Sequence, residues 1–189
     1  MLLITVKAIN KNGRWDPEEE KFIYLDHDIT LQLEHSLISV SRWEAKWKKP
    51  YLSSSSKFEK TPEEVRDYIK CMTVSCNIDP DVYKLLSKEN YEEINRYISD
   101  PMTATWFDNS KKDKGRGTEE MTSELMYYYM TEYGIPWEAQ KWHLNRLLTL
   151  LRTFSEKESS SGNKISTRDL LKRNSSLNKM RRAALGSKG

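Results

Sequence analysis

The hydrophobic period of this chain changes at Ser36, and that change limits what it can fold into. Upstream, LLITV, FIYL and ITLQL combine β-branched and aromatic residues with partial two-residue alternation, the pattern of half-buried strands. Downstream, Val40, Trp43 and Trp47 recur at i, i+3 and i+7, which is one face of a helix. The expected class is α+β, mainly α: a small N-terminal antiparallel β-sheet, then a helical domain and a basic C-terminal helix. Between the first two strands, NKNGRWDPEE carries Asn-Gly and Asp-Pro, which reads as a turn. Asp26-His27-Asp28 marks the next turn, so three short strands are expected in one sheet.

Helix punctuation continues the reading. Pro50 ends the first helix and SSSSKFEK follows as a polar linker. Thr61-Pro62-Glu63-Glu64 offers a cap, a first-turn proline and a capping box. Val65, Tyr68, Ile69, Met72 and Cys76 then share a face. Asp79-Pro80 starts a short helix with Val82, Tyr83 and Leu86, and another surrounds Tyr91, Ile94 and Ile98. Lys111–Gly117 is a basic, glycine-bearing loop, and Thr118 reads as the next cap, with Glu119 and Glu120 at the positive end of the helix. Gly134 is a helix stop and Pro136 a helix start.

Pro136 opens the core of YGIPWEAQKWHLNRLLTLLRTF. Trp137, Leu144, Leu148 and Leu151 follow one helical stripe, widened by Leu147 and Phe154, so a single central helix is expected. His143 has no orienting carboxylate or nucleophile in its own helix and reads as structural. Arg146 and Arg152 read as partners of buried carboxylates or helix ends rather than of phosphate, with Glu34, Glu44 and Glu138 as candidate carboxylates.

Charge divides the chain differently. Lys157 to Gly189 holds nine basic and two acidic residues, a net of +7, against −4 for the remainder. The expected organisation is a globular body over 1–154, β-rich over 1–35 and helical over 36–154. A flexible linker over 155–165 and a basic C-terminal helix over 166–189 complete it. The linker reading rests on SEKESSSGNK. The last helix carries a stripe of Leu170, Asn174, Leu177, Arg181 and Ala184. Its basic face suits an acidic protein, nucleic acid or plain solvent.

Several function classes lose ground. There is no GxxxxGK[ST] and no GxGxxG, and Asp26-His27-Asp28 and Glu34-His35 lack HExxH spacing. Cys71 and Cys76, five residues apart on a helix, face different ways and are expected as reduced thiols. No apolar run nears a membrane span, and MLLITVKAINKNGRWD lacks signal-peptide regions. A cytosolic, non-enzymatic protein is expected, with no cofactor, no metal and no membrane partner.

Five segments taken in order carry a resemblance. They are TLQLEHSLISVSRWEAKWKKPYL (Thr30 to Leu52), IKCMTV, PMTATWF, YGIPWEAQKWHLNRLLTLLRTF and DLLKRNSSLNKMRRAALGSKG. This set resembles a family of small proteins encoded among the tail genes of tailed bacteriophages and prophages, described as tail assembly chaperones. The resemblance covers about Thr30 to Gly189 and brings no catalytic residues. It implies a bacteriophage chaperone of virion morphogenesis in the host cell cytoplasm, working through protein-protein interaction with the tape measure and/or tail tube proteins. Trp43, Trp47 and Tyr51 and the basic Lys172, Arg173, Arg181 and Arg182 are the candidate contact residues. Self-association is compatible with the same surfaces. The alternatives are a structural virion component, such as a head-tail connector or tail protein, and a nucleic-acid-binding protein using the basic tail.

Overall fold

The chain opens with strands β1 (Leu2–Val6), β2 (Ile9–Asp16), β3 (Lys21–Leu25) and β4 (Ile29–Leu33). Helices α1 (Leu37–Trp47), α2 (Pro62–Met72), α3 (Lys88–Ser99), α4 (Ser123–Glu132) and α5 (Leu144–Ser160) follow. The computed structural model describes residues 1–17, 19–53, 55–105, 107, 120–160 and 175, the side chains of 10–12, 159 and 160 excepted. Met1–Thr149 form one compact unit and Leu150–Gly189 another. The class is α+β and mainly α, with small antiparallel pairing at the N-terminus.

Alternation is kept in the strands. β1 pairs antiparallel with β4, Ile4 opposite Leu31. Ile4, Val6, Leu31 and Leu33 point inward, while Leu3, Thr5, Thr30 and Gln32 point outward. The expected single three-stranded sheet is corrected, because among the described residues the strands form two separate pairs, β1–β4 and β2–β3. NKNGRWD is strand rather than turn. The register slips between Ile9 and Arg14, and Gly13 takes φ +54, so the glycine serves a bulge instead of a hairpin tip. The tip falls after Asp16, where Glu20 takes the positive φ of 50.

Gly13 is constrained twice. Its φ is one that side chains disfavour, and a Cβ there would lie 2.9 Å from the Tyr24 ring and 3.2 Å from Phe22 Cβ. Gly13→Ala is expected to destabilise by about 1–2 kcal/mol, read as a lowered urea midpoint. An unchanged midpoint counts against the bulge.

The far edge of β4 is covered by two unrelated segments. Glu34 N donates to Met72 O at 2.9 Å and Val74 N to Gln32 O at 2.8 Å. Leu144 N then donates to His35 O at 2.7 Å, with Ser36 opposite His143. The edge that would otherwise invite pairing is thereby closed. These bonds also explain two departures from the periodicity. α2 stops at Met72 because the chain turns extended to reach β4, so Cys76 is not on that helix. Cys76 is exposed and Cys71 half-buried, both as free thiols.

The second departure lies in the leucine-rich run, which is not one helix. A 3-10 turn spans Trp137–Lys141, Trp142 is extended, and α5 begins at Leu144. The Leu144 amide that would continue a helix is diverted to His35. Trp137 is left 55% exposed, and Leu148 is half-buried. The buried stripe is Leu144, Leu147 and Leu151.

The cap of α2 falls where the sequence places it. Thr61 and Glu64 form the capping box of α2, at 3.2 and 2.8 Å. Ser87 and Asn90 form another on α3, at 3.2 and 3.1 Å. The cap of α4 is Thr122, whose Oγ1 accepts from Leu125 N at 3.3 Å; Thr118 and the basic loop lie outside the described residues. Residues 155–160, read as linker, are the last of α5. Glu156, Lys157 and Glu158 are good helix formers, and Arg152 Nε donates to Glu156 at 2.9 Å one turn away. Residues 161–165 and the basic 166–189 segment lie outside the described residues, Ser175 excepted.

Candidate protein-binding surface

The aromatic residues of SRWEAKWKKPYL join α1 to α2. Trp43 is fully buried, and its Nε1 donates to Glu64 O at 2.8 Å. It cannot meet a partner, which corrects the expectation drawn from the sequence. Trp47 is half-buried and donates to Asp67 at 2.9 Å. Tyr51 stacks on Tyr68 with centroids 3.9 Å apart and meets Trp43 edge-on at 5.3 Å. Lys60 Nζ caps this group, 4.5 Å from the Tyr51 centroid. Burial is the larger influence on Lys60 and lowers its pKa, against Glu64 nearby. Glu44, also buried, accepts the backbone amides of Tyr51 and Ser123, each at 2.7 Å. Lys172, Arg173, Arg181 and Arg182 lie outside the described residues.

Behind them sits a pair of buried imidazoles. The rings of His35 and His143 lie 5.2 Å apart. His143 Nδ1 accepts from Asn145 N at 3.3 Å, so its proton is on Nε2, which donates to Tyr97 O at 3.0 Å. His35 Nδ1 shares a 2.5 Å hydrogen bond with the Tyr68 hydroxyl. Burial, and then the neighbouring His143 imidazole, hold His35 down to about 3. Burial pushes the Tyr51 and Tyr68 phenols up. The group pairs internally. Its geometry ties α1, α2, α3 and the start of α5 together. Arg146 lies over the Trp142 ring at 4.5 Å, and Arg152 pairs with Glu156. Of the carboxylates proposed for them, Glu34 takes the Tyr97 hydroxyl at 2.7 Å, Glu44 takes the two amides, and Glu138 is exposed.

Elsewhere, Asp28 accepts Lys7 Nζ and Ala8 N, each at 2.8 Å, which is turn chemistry. Among the described residues no group of three His, Cys, Asp or Glu side chains is placed to hold a metal ion. A groove of about 450 Å³ runs past Glu34, Arg42, Cys71, Val74 and Lys141. Burial pushes the Cys71 thiol up to about 11, so it stays protonated there at neutral pH.

The surface that the periodicity did not single out is the β2–β3 hairpin. Trp15, Phe22 and Tyr24 are 51, 51 and 56% exposed. Trp15 faces Phe22 across the strands, centroids 5.0 Å apart, and Phe22 lies 6.4 Å from Tyr24. Ile23 and Leu25 take the inner face. The signal was present in FIYL, where alternation sends two aromatic residues outward.

The ladder rests on a fixed base. Lys84 Nζ donates to buried Asp16 at 2.5 Å and to Glu19 at 2.6 Å. Lys21 bridges Glu19 and Asp81 at 2.7 and 2.8 Å. These hydrogen bonds raise the pKa of Lys84, chiefly through Asp16. The ladder is therefore held against the 3-10 helix Pro80–Leu85. A second exposed aromatic group lies on α4 and the turn after it, where Tyr127 stacks on Trp137 at 5.1 Å beside exposed Tyr128.

No family model, no curated protein and no solved structure matches the chain.

Proposed function

We propose that this chain is a non-enzymatic tail assembly chaperone of a tailed bacteriophage. It binds the tape measure protein in the host cell cytoplasm and yields to tail tube subunits as the tail grows. The likeness of Thr30 to Leu52 and Tyr133 to Phe154 to that family supports the setting.

The single observation that carries the reading is the Trp15–Phe22–Tyr24 ladder. Three large rings stand side by side in solvent on a hairpin locked by ion pairs. Clustered exposed apolar area marks an interaction site, and Trp and Tyr dominate binding energy at protein interfaces. A fixed hairpin loses little side-chain freedom on binding, which favours recognition of an apolar helical partner.

Co-expression tests this reading. The full chain should keep the tape measure protein of the same phage soluble and co-purify with it. Trp15→Ser with Phe22→Ser should weaken that capture by about tenfold or more, because hot-spot aromatics contribute upward of 2 kcal/mol. The circular dichroism of the variant should match the parent. Capture undiminished in a folded variant removes the ladder from the account. A chain found in stoichiometric amount in purified virions is a structural component instead.

A further inference from the structure

Tyr128 and Trp137 expose large rings on α4 and the turn behind it, a stretch whose charged residues are all glutamates until exposed Lys141 ends the turn. Residues 120–140 contain four glutamates and no lysine or arginine. Glu124, Tyr128 and Glu132 lie at i, i+4 and i+8, one ridge of α4. Glu132, one turn on from Tyr128, raises the pKa of its phenol. Tyr127, beside that ridge, stacks on Trp137, and exposed Glu138 follows Trp137. The opposite side of α4, Met126 and Met130, is fully buried. Among the described residues no lysine or arginine pairs with Glu124, Glu132 or Glu138.

Such a face has a definite chemical preference. Aromatic faces attract guanidinium and ammonium groups, Arg most often. Carboxylates beside the rings add charge-assisted hydrogen bonds. The complementary sequence is in the chain itself: Lys157 to Gly189 carries a net +7, with Lys172, Arg173, Arg181 and Arg182 in two adjacent pairs. We propose that the α4–Trp137 face receives the basic C-terminal segment of a second copy of this chain. One copy then offers the face and the next offers the segment. The contact is head-to-tail, and copies add in line unless the rotation closes a ring. This proposal does not rest on the tape measure reading.

Sedimentation velocity of the full chain tests it. The chain should associate at about 0.05 M salt and dissociate at about 0.5 M, where screening shortens the reach of charge. Glu124→Lys with Glu132→Lys should weaken association by tenfold or more, and Arg181→Glu with Arg182→Glu by a similar factor. Tyr128→Ala should weaken it as well. The decisive arm mixes the two charge-reversed proteins. Each keeps one native half of the contact, so the mixture should associate where neither protein does alone. A chain monomeric at its highest attainable concentration overturns the proposal, as does association that survives reversal of Glu124 and Glu132. A mixture that stays monomeric overturns it too, and points to another occupant for the face.

Discussion

Trp43→Ala is expected to cost about 3–5 kcal/mol of stability, the largest loss from any single truncation in α1. Trp43 is fully buried and donates its indole N–H to the Glu64 carbonyl. Truncation removes the ring, leaves a cavity and takes away the indole hydrogen bond to the Glu64 carbonyl of α2. The neighbours have little freedom to collapse, since Tyr51 is stacked on Tyr68 and Glu44 is held by two amides. Urea denaturation at neutral pH reads the effect. Trp137→Ala is the control. Its ring is more than half exposed and stacks on Tyr127, so its loss should stay at about 1 kcal/mol. Equal costs for the two variants would contradict the burial pattern.

The exchange of roles between these tryptophans marks where periodicity stops being informative. Both sit on plausible helical stripes, and a stripe states which residues share a face but not what covers it. Trp43 is covered because α2 packs across α1, a contact between segments twenty residues apart. Trp137 is uncovered because the Leu144 amide turns to His35, over a hundred residues upstream. The local signals were legible. The period change at Ser36, the capping box at Thr61, the Asp28 turn and the inward faces of β1 and β4 follow from nearest neighbours. The division of the strands into two pairs was not legible, because Asn-Gly supports either a hairpin tip or a bulge. The linker reading weighed serine content over the helix formers between Glu156 and Glu158. Of the candidate contact residues, Trp43 fails on burial and Trp47 and Tyr51 are half-buried. The exposed rings are on FIYL and α4, on the outward half of each element, where the inward periodicity says nothing of what covers them.

Lowering the pH should destabilise this protein before its carboxylates are protonated. His35 is the cause. Its imidazole is almost fully buried and is held down to about 3, against 6.5 for a free histidine. It faces the Tyr68 hydroxyl, the Tyr51 ring and the imidazole of His143. The two phenols are kept protonated by burial, so neither offers a countercharge to an imidazolium. The unfolded chain therefore takes up a proton below pH 6.5 that the folded chain refuses. The stability held by neutral His35 is fully present above 6.5 and is lost as the pH falls from there toward 3. The slope is about 1.4 kcal/mol per pH unit, giving a loss of about 2 kcal/mol near pH 5. Carboxylates such as Asp28 and Glu64, whose pKa values are lowered by their lysine partners, add their own losses only at lower pH. Urea midpoints between neutrality and pH 5 isolate the histidine. His35→Gln should lower stability at neutral pH and flatten this part of the profile. A parent protein whose midpoint is level across that window, or a variant that keeps the full slope, would show that His35 is not the group being protonated.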